Sequence, residues 1–288
     1  MMSDLVENGV NKLRYSDIHN SNVFMKPVKC PANAGNRCLA KLKLIFLLML
    51  GSLCTIESVY AKCEDAAAPG VNWTGCDKSG LDLSRADLES AILRRVNFTN
   101  TDLSKARLQS ADLSFSKLEN TNFQDARMER ARINNATIIQ SSFVGAVLDE
   151  ARLSRAKISN SDFSNARVNK VNFYQVNIDK TTFTKAQLNY SDFTGARISA
   201  GEFDKIIAQE AVFERADLEY ASFINARLKS AKFIEANLLS ARFDQADLTD
   251  ASIRDAIIDG ASFSGAKLDN TTWVRYQRCR IGSVGECE

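Results

Sequence analysis

Histidine and proline are almost absent from this chain of 288 residues. The only histidine is His19, and the last of the three prolines is Pro69. Without histidine beyond position 19, the chain has no Ser-His or Cys-His nucleophile there and lacks the commonest protein ligand of transition metals. Without proline beyond position 69, every later backbone N–H is available to a hydrogen-bonded ladder.

Other signatures of catalysis are also missing. The sequence contains no glycine-rich phosphate loop or nucleotide-binding motif. Carboxylates are common, but they recur at repeat positions on a predicted outer surface, with no apolar cleft to tune them. The sequence therefore predicts a protein that is not an enzyme, with no catalytic residue, no metal site and no cofactor.

A strong net charge is lacking too. The formal net charge is +2, but residues 1–61 hold seven of the 37 Lys and Arg and four of the 35 Asp and Glu, so acidic residues exceed basic ones by one from Lys62 onwards. This balance predicts no nucleic-acid partner.

What the chain does contain is a repeat of five residues. Large residues stand at every fifth position from Leu83 to Trp273, which gives 39 centres without an insertion, and only Ala208 among them is small. The position two residues before each centre is alanine 25 times, and the residue between is polar in 34 units. Each unit thus has a small position, a middle position, a centre and two mostly polar corner residues.

A period of five matches neither an α-helix nor a long strand. Within a unit, the small, middle and centre positions alternate like a three-residue strand, so the small and centre side chains point the same way. The other two residues must turn a corner. Strand and corner in regular alternation predict a solenoid.

The number of units in one coil follows from a longer period of twenty residues. Phenylalanine recurs at that spacing at Phe123, Phe143, Phe163, Phe183, Phe203, Phe223, Phe243 and Phe263. A residue type that recurs at every fourth centre should stack on itself in successive four-sided coils. The sequence predicts an all-β solenoid of about ten such coils, a rod on the order of 45 Å long.

The units resemble the pentapeptide-repeat family, whose A(D/N)LXX pattern appears as Ala86-Asp87-Leu88-Glu89-Ser90 and Ala246-Asp247-Leu248-Thr249-Asp250. The resemblance covers residues 81–275 and implies a right-handed quadrilateral β-helix. It carries over no catalytic residue. The segment Ile206-Ile207-Ala208 departs from the pattern and predicts a local distortion.

The N-terminal region predicts export. Residues 1–40 are predicted to be disordered or untranslated, and residues 41–61 have the pattern of a signal peptide, with Val59 and Ala61 at −3 and −1 of a cut before Lys62. The predicted location is periplasmic or extracellular. The alternative is a membrane anchor at residues 42–60, although its apolar run falls short of the ~20 residues of a spanning helix.

Four cysteines follow the predicted cut, an even number that suggests disulfides in an oxidising compartment. We expect Cys63–Cys76 and Cys279–Cys287, because the solenoid separates the two pairs; a zinc site and four free thiols are the alternatives. Each pair would staple one end, in an N-terminal cap over residues 62–80 and a C-terminal cap or tail over 276–288. Trp73 and Trp273 are predicted to cover the first and last coils, and the alternative for the C-terminal aromatics is a homodimer interface.

Stacking the sequence in rows of twenty brings basic residues onto two adjacent sides. This candidate binding strip, for a protein or an anionic polymer of the cell envelope, consists of Arg107, Arg127, Arg130, Arg132, Arg152, Arg155, Arg167, Arg227 and Lys232. The alternative is an ordinary mixed surface, because Glu129, Asp149 and Glu150 lie among them.

Three kinds of function follow. The favoured one is an exported, non-enzymatic structural or interaction rod. The second is the same rod tethered to a membrane through residues 42–60. The third, implied by the family resemblance alone, is a cytosolic DNA mimic that binds topoisomerase, which the balanced charge and the predicted export both disfavour.

Overall fold

A computed structural model describes residues 61–288 of the chain. Parallel bridges join residues twenty apart, and one column of them runs from the Asn72 and Ile92 pair to the Ser252 and Thr272 pair. The backbone therefore forms a four-sided parallel β-solenoid, as the repeat predicts. The predicted signal or anchor at residues 41–61 lies outside the described residues except for Ala61; within residues 61–288, no helix is long and apolar enough to cross a membrane.

The sides are numbered along the chain: side 1 carries the Phe123 column of centres, side 2 the Leu88 column, side 3 the Phe173 column and side 4 the Leu118 column. Side 4 contains a parallel five-stranded sheet in the order β1-β2-β3-β4-β5, whose register is again twenty residues. Its strands are β1 (Lys117–Glu119), β2 (Thr137–Ile139), β3 (Lys157–Ser159), β4 (Asn177–Asp179) and β5 (Arg197–Ser199). The last regular element is a 3-10 turn, Val274–Tyr276.

Backbone hydrogen bonds join each coil to both neighbours. The Leu88 N–H donates to the Arg107 carbonyl of the next coil at 2.7 Å, and the Arg107 N–H donates to the Ala86 carbonyl at 2.9 Å. The same pair of bonds recurs from unit to unit. A ladder of this kind uses the polar backbone groups that would otherwise be buried unpaired.

Two positions of the unit shape each corner: the middle residue, whose side chain caps the turn, and the last residue, which has a left-handed backbone. The Asp82 carboxylate accepts a hydrogen bond from the Ser84 N–H at 2.9 Å, and Asp102 and Ser104 repeat the contact at 2.8 Å. Asp and Asn hold this local turn because their short side chains reach the backbone two residues on. The residue after it, Arg85 in the first case, has a left-handed φ of 60°.

Stacked phenyl rings form much of the core. On side 1, the Phe143 and Phe163 ring centroids lie 4.4 Å apart with an interplanar angle of 3°. The Phe173 column on side 3 meets this stack edge to face, at 6.1 Å between Phe173 and Phe183. The ring quadrupole favours the edge-to-face contacts, and the rings are fully buried.

The distortion predicted at Ile206-Ile207-Ala208 is confined to the corner before it, where the Ile206 N–H does not donate to the Phe203 carbonyl as the corresponding N–H does at most corners. Ile207 is bridged to Gln187 on one side and to Arg227 on the other, so the ladder continues. Ile206 and Ala208 are both fully buried. Because the side chains at the small and centre positions both point into the core, they share its volume. Ile206, at the small position, therefore fills the space that the small side chain of Ala208 leaves at the centre.

Both ends are capped. Disulfides join Cys63 to Cys76 and Cys279 to Cys287, with Cα atoms 5.5 Å and 4.8 Å apart. Trp73 is 1% exposed, and its indole N–H donates to the Asp65 carbonyl at 3.1 Å. The ladder already includes Asn72, ahead of the predicted boundary at residue 81. The repeat was missed there because Lys78 occupies a centre, with its ammonium reaching the Cys63 carbonyl at 2.6 Å.

At the other end, the tail folds back over the last coil. Antiparallel bridges join Lys267 to Val284 and Thr272 to Arg278. The Trp273 ring packs against Phe263 with centroids 4.9 Å apart. Side chains and tail together cover the open edge that a solenoid leaves at its end.

Candidate binding surface

Part of the predicted basic strip is held in ion pairs. The guanidinium of Arg107 lies 3.0 Å from the Asp87 carboxylate, that of Arg127 lies 3.0 Å from Glu129, and that of Arg167 lies 2.6 Å from Asp149. These three arginines occupy the middle position of side 2. Their charge is matched locally, which is the mixed surface that the sequence left as the alternative.

The remaining arginines near side 3 are different. Arg130, Arg152 and Arg155 are exposed, and within residues 61–288 they form no ion pair at 4.0 Å or less. Arg155 donates from Nε to the Gln175 side-chain oxygen at 3.2 Å. Arg132 lies 3.9 Å from Asp112, at the edge of ion-pair range.

Arg227 and Lys232, the last members of the strip, lie further along the rod. Lys232 lines a separate groove that also contains Glu210 and Asp250. The structure therefore divides the strip into three parts. The ion-paired group on side 2 is Arg107, Arg127 and Arg167, the unpaired group on or beside side 3 is Arg130, Arg152 and Arg155, and Arg227 and Lys232 lie apart from both.

Two shallow grooves flank the unpaired group. One, of about 350 Å³, is lined by Ser110, Arg130, Arg132, Glu150 and Arg152. The other, of about 320 Å³, lies at the corner between sides 3 and 4 and is lined by Arg155, Gln175, Val176, Asn177, Gly195 and Arg197. Gly195 opens this second groove, because it has no side chain where the same corner column carries Gln175 one coil earlier and Arg215 one coil later.

Sequence reasoning missed Arg197. It stands at the middle position of β5, bonded in register to Asn177 of β4, and it is exposed. In rows of twenty, Arg197 lies on side 4 while the predicted strip follows sides 2 and 3. The glycine at the adjacent corner, Gly195, is a sign in the sequence that a groove could open there. Only the structure shows that Arg197 and Arg155 line the same groove.

A larger groove of about 490 Å³ lies over side 2. Arg107, Arg127 and Arg130 line it together with Glu89, Glu129, Asp149 and Glu150. Four carboxylates against three guanidiniums leave no excess of positive charge. This groove is therefore a poorer site for an anion than the two that flank side 3.

Perturbed carboxylates lie away from these arginines. Hydrogen bonds from Ser79 and Ser84 lower the pKa of Asp77 and Asp82, respectively, below the usual value near 3.8. The Arg215 guanidinium, through a hydrogen bond and its charge, lowers the pKa of Glu235. These carboxylates cap turns or pair with arginine, and among residues 61–288 no cluster of His, Cys, Asp or Glu has the geometry of a metal site.

The C-terminal end carries exposed apolar side chains. Tyr276, Ile281 and Val284 are 66%, 81% and 59% exposed. They are the groups that a homodimer through this end would use, and that interface stays a prediction. Trp273 is only partly exposed and packs on the last coil.

Two family models of pentapeptide repeats match this chain. The family model described as "Pentapeptide repeat region" matches residues 116–193. The model described as "Pentapeptide repeats (8 copies)" matches residues 82–114, 211–250 and 236–272. A comparison with curated protein sequences finds no significant match.

Among solved structures, the chain is similar to HetL, a pentapeptide repeat protein involved in heterocyst differentiation regulation in the cyanobacterium Nostoc sp. strain PCC 7120. The two are 24% identical, the match covers 69% of this chain and 90% of HetL, and the TM-score is 0.62. A trypsin-treated form of QnrB1, a plasmid-mediated fluoroquinolone resistance protein, is 17% identical over 70% of this chain and 91% of its own, with a TM-score of 0.35. The first likeness supports the fold, and the second is too low to support a function.

Proposed function

Because this chain belongs to the pentapeptide-repeat family, we propose that it is a non-enzymatic, exported interaction rod. Its regular outer surface is presented to a protein or an anionic polymer of the cell envelope. It performs no chemistry on that partner, and its specificity lies in the middle and corner positions.

One observation carries this proposal: the outward side chains stand on a backbone hydrogen-bonded to the coil on each side. The core behind it is a column of stacked, fully buried rings. Such a surface does not have to be ordered when a partner binds, and this preorganisation lowers the entropic cost of association.

Export is the part of the proposal that rests on sequence, supported by the two end disulfides. Stable disulfides are typical of proteins outside the reducing cytosol. An alkaline-phosphatase fusion, with mass measurement of the mature N-terminus, tests it. We expect an active fusion and a chain that begins near Lys62; an intact cytosolic chain would favour the DNA-mimic alternative, and an exported but uncut chain the membrane-tethered one.

Interaction with the envelope has its own test. The exported protein, mixed with isolated envelopes from the same cells, should sediment with them at low salt in a saturable manner. Protein that remains in the supernatant at every concentration would contradict the proposal. Envelopes treated with protease or with polysaccharide-degrading enzymes would show which of the two partner classes is responsible.

A further inference from the structure

We propose that Arg130, Arg152, Arg155 and Arg197, here called the arginine track, bind a linear acidic polysaccharide through its carboxylate groups. This inference rests on the proposed interaction rod and names the chemistry of its ligand. It also replaces the nine-residue strip by four residues that line the two grooves beside side 3.

The track crosses one side of the rod and turns a corner. Arg130 stands at the corner between sides 2 and 3, and Arg152 stands on side 3 in direct register with Arg132 of the previous coil. Arg155 is at the next corner, and Arg197 follows on side 4 beyond the notch at Gly195. Neighbouring coils are about 4.8 Å apart, so the four charged groups are distributed over three to four coils, on the order of 15 Å along the rod.

Charge along the track is available to a ligand. None of the four guanidiniums has a carboxylate within 4.0 Å in the described part of the chain. Glu150 is the one acidic residue that lines the two flanking grooves. A carboxylate ligand therefore gains forked, charge-assisted hydrogen bonds without first breaking an ion pair.

The neutral groups beside the track suit a sugar. Gln175 and Asn177 line the second groove with amide groups that match hydroxyl groups. On or beside side 3, Tyr174 and Phe115 are 37% and 48% exposed and present flat apolar rings. A ligand with carboxylates, hydroxyls and apolar ring faces uses all three kinds of contact.

The corner argues against a membrane surface. A planar bilayer lies against one side of a four-sided coil, so it would meet Arg152 on side 3 or Arg197 on side 4, but not both. A flexible linear chain follows the track across the corner between the two sides. The polysaccharide is therefore the occupant that the geometry favours.

The test measures binding of the exported protein to immobilised polygalacturonate. The track variant carries Arg130→Ala, Arg152→Ala, Arg155→Ala and Arg197→Ala. Its matched control carries Arg107→Ala, Arg127→Ala, Arg167→Ala and Arg242→Ala, four arginines that are ion-paired in the structure. Both variants lose four positive charges, so net charge alone cannot separate them.

We expect the track variant to bind at least tenfold more weakly and the control to stay within about twofold of the unaltered protein. The slope of log K against log salt should fall by about three for the track variant, since each of the four lost contacts to a single-stranded polyanion removes about 0.7. The single change Arg152→Glu should weaken binding in the same direction, which covers the case that the fourfold variant is unstable.

Equal losses in the track variant and its control would overturn the proposal, as would equal retention on neutral dextran. Tighter binding to anionic vesicles or to a single-stranded oligonucleotide than to polygalacturonate would assign the track to a different ligand and also overturn it. If the track variant still sediments with envelopes like the unaltered protein, the interaction rod stands and the track falls. If polygalacturonate binding follows the track but envelopes do not retain the protein, the track stands and the envelope role falls.

Discussion

At the residue scale, the last residue of each corner has a fixed backbone conformation but a variable side chain. Arg130, Phe115 and Tyr190 have nearly the same left-handed φ, at 60°, 63° and 62°, despite unrelated side chains. This conformation costs an L-residue on the order of 1 kcal/mol, and the ladder on both sides of the corner stabilises it. Because the side chain points outward, the sequence is free to vary there, and two members of the arginine track occupy such positions.

Gly201 is a small-position residue that alanine should not replace, although alanine is the commonest residue at that position. An added Cβ would lie 2.5 Å from Ile198 Cγ2 and 2.8 Å from Phe203 Cε2. We expect Gly201→Ala to destabilise the protein by about 1–3 kcal/mol, the usual cost of overpacking a core, measured by urea denaturation.

Ser116→Ala is the control for this change. Ser116 also occupies a small position, and its buried hydroxyl has no hydrogen-bond partner, so alanine should be neutral or stabilising there. If both changes destabilise the protein equally, the close contacts at Gly201 are not the cause.

Asp82 should contribute to acid sensitivity. Hydrogen bonds from Ser84 hold its pKa below the usual value of 3.8, so its stabilising effect is complete at neutral pH and is lost as the pH falls through the lowered pKa. Asn keeps the turn-capping oxygen but does not titrate. We therefore expect Asp82→Asn to flatten the decline of the melting temperature below about pH 4.

Melting curves from pH 7 down to pH 2.5 would check this, with the exposed Asp259→Asn as the comparison. Asp82→Ala should lower the melting temperature already at pH 7, because the capping acceptor is removed. A pH profile unchanged by Asp82→Asn would contradict the assigned role.

At the element scale, the structure contains two kinds of corner. In the common kind, the N–H three residues after a centre donates directly to the carbonyl of that centre, as Ala126 does to Phe123 at 3.0 Å. After β1, the Ser141 hydroxyl of the next coil stands between these groups instead, accepting from the Thr121 N–H at 3.2 Å and donating to the Leu118 carbonyl at 2.8 Å. A buried hydroxyl thus completes a corner that the backbone leaves open.

We expect Ser141→Ala to destabilise the protein by about 1–3 kcal/mol, because it leaves a buried N–H and a buried carbonyl short of a partner. Ser141→Thr should retain stability, since threonine already occupies the same column at Thr121 and Thr181. Ser164→Ala, at a half-exposed corner position, is the matched control. Hydrogen exchange of the Thr121 N–H would report the loss directly, and unchanged exchange would contradict the bridging role.

At the scale of the whole molecule, each coil contacts only its neighbours, so stability is local and the ends matter most. The C-terminal disulfide closes a loop with a sequence separation of 8 residues beside the last coil. We expect Cys279→Ser with Cys287→Ser to speed amide exchange at Leu268 and Gly285, whose N–H groups join the last coil to the folded-back tail, while Phe183 in the middle of the rod stays protected.

The equivalent pair of changes at Cys63 and Cys76 should loosen the opposite end alone. Loosening of only the altered end in each variant is the expected result, because a global loss of stability would raise exchange along the entire solenoid. Uniform acceleration in either variant would show that the coils unfold as one unit and not from their ends.

Much of the architecture could be predicted because it depends on side-chain type at a fixed period. Phenylalanine at every fourth centre predicted that each coil has four sides. The same spacing of twenty residues predicted which residues lie above one another. The open corners could not be predicted in the same way, because Ser141 has the small side chain that its position requires and its hydroxyl acts on the preceding coil. The pairing of Ile206 with Ala208 could not be predicted for a similar reason, because their compensation in size appears only once both side chains point into the same core.

For the candidate surface, sequence alone identified three of the four arginines of the track, but not Arg197 and not which arginines are unpaired. Arg107 and Asp87 are twenty residues apart and Arg167 and Asp149 eighteen apart, so each pair meets only when coils stack and long side chains choose among several carboxylates. The one-dimensional pattern determined the four-sided β-solenoid, because backbone hydrogen bonding and the burial of large residues leave a period of five with no other solution. The tertiary structure decided where positive charge remains unmatched, because ion pairing depends on distances between coils that the order of residues does not contain.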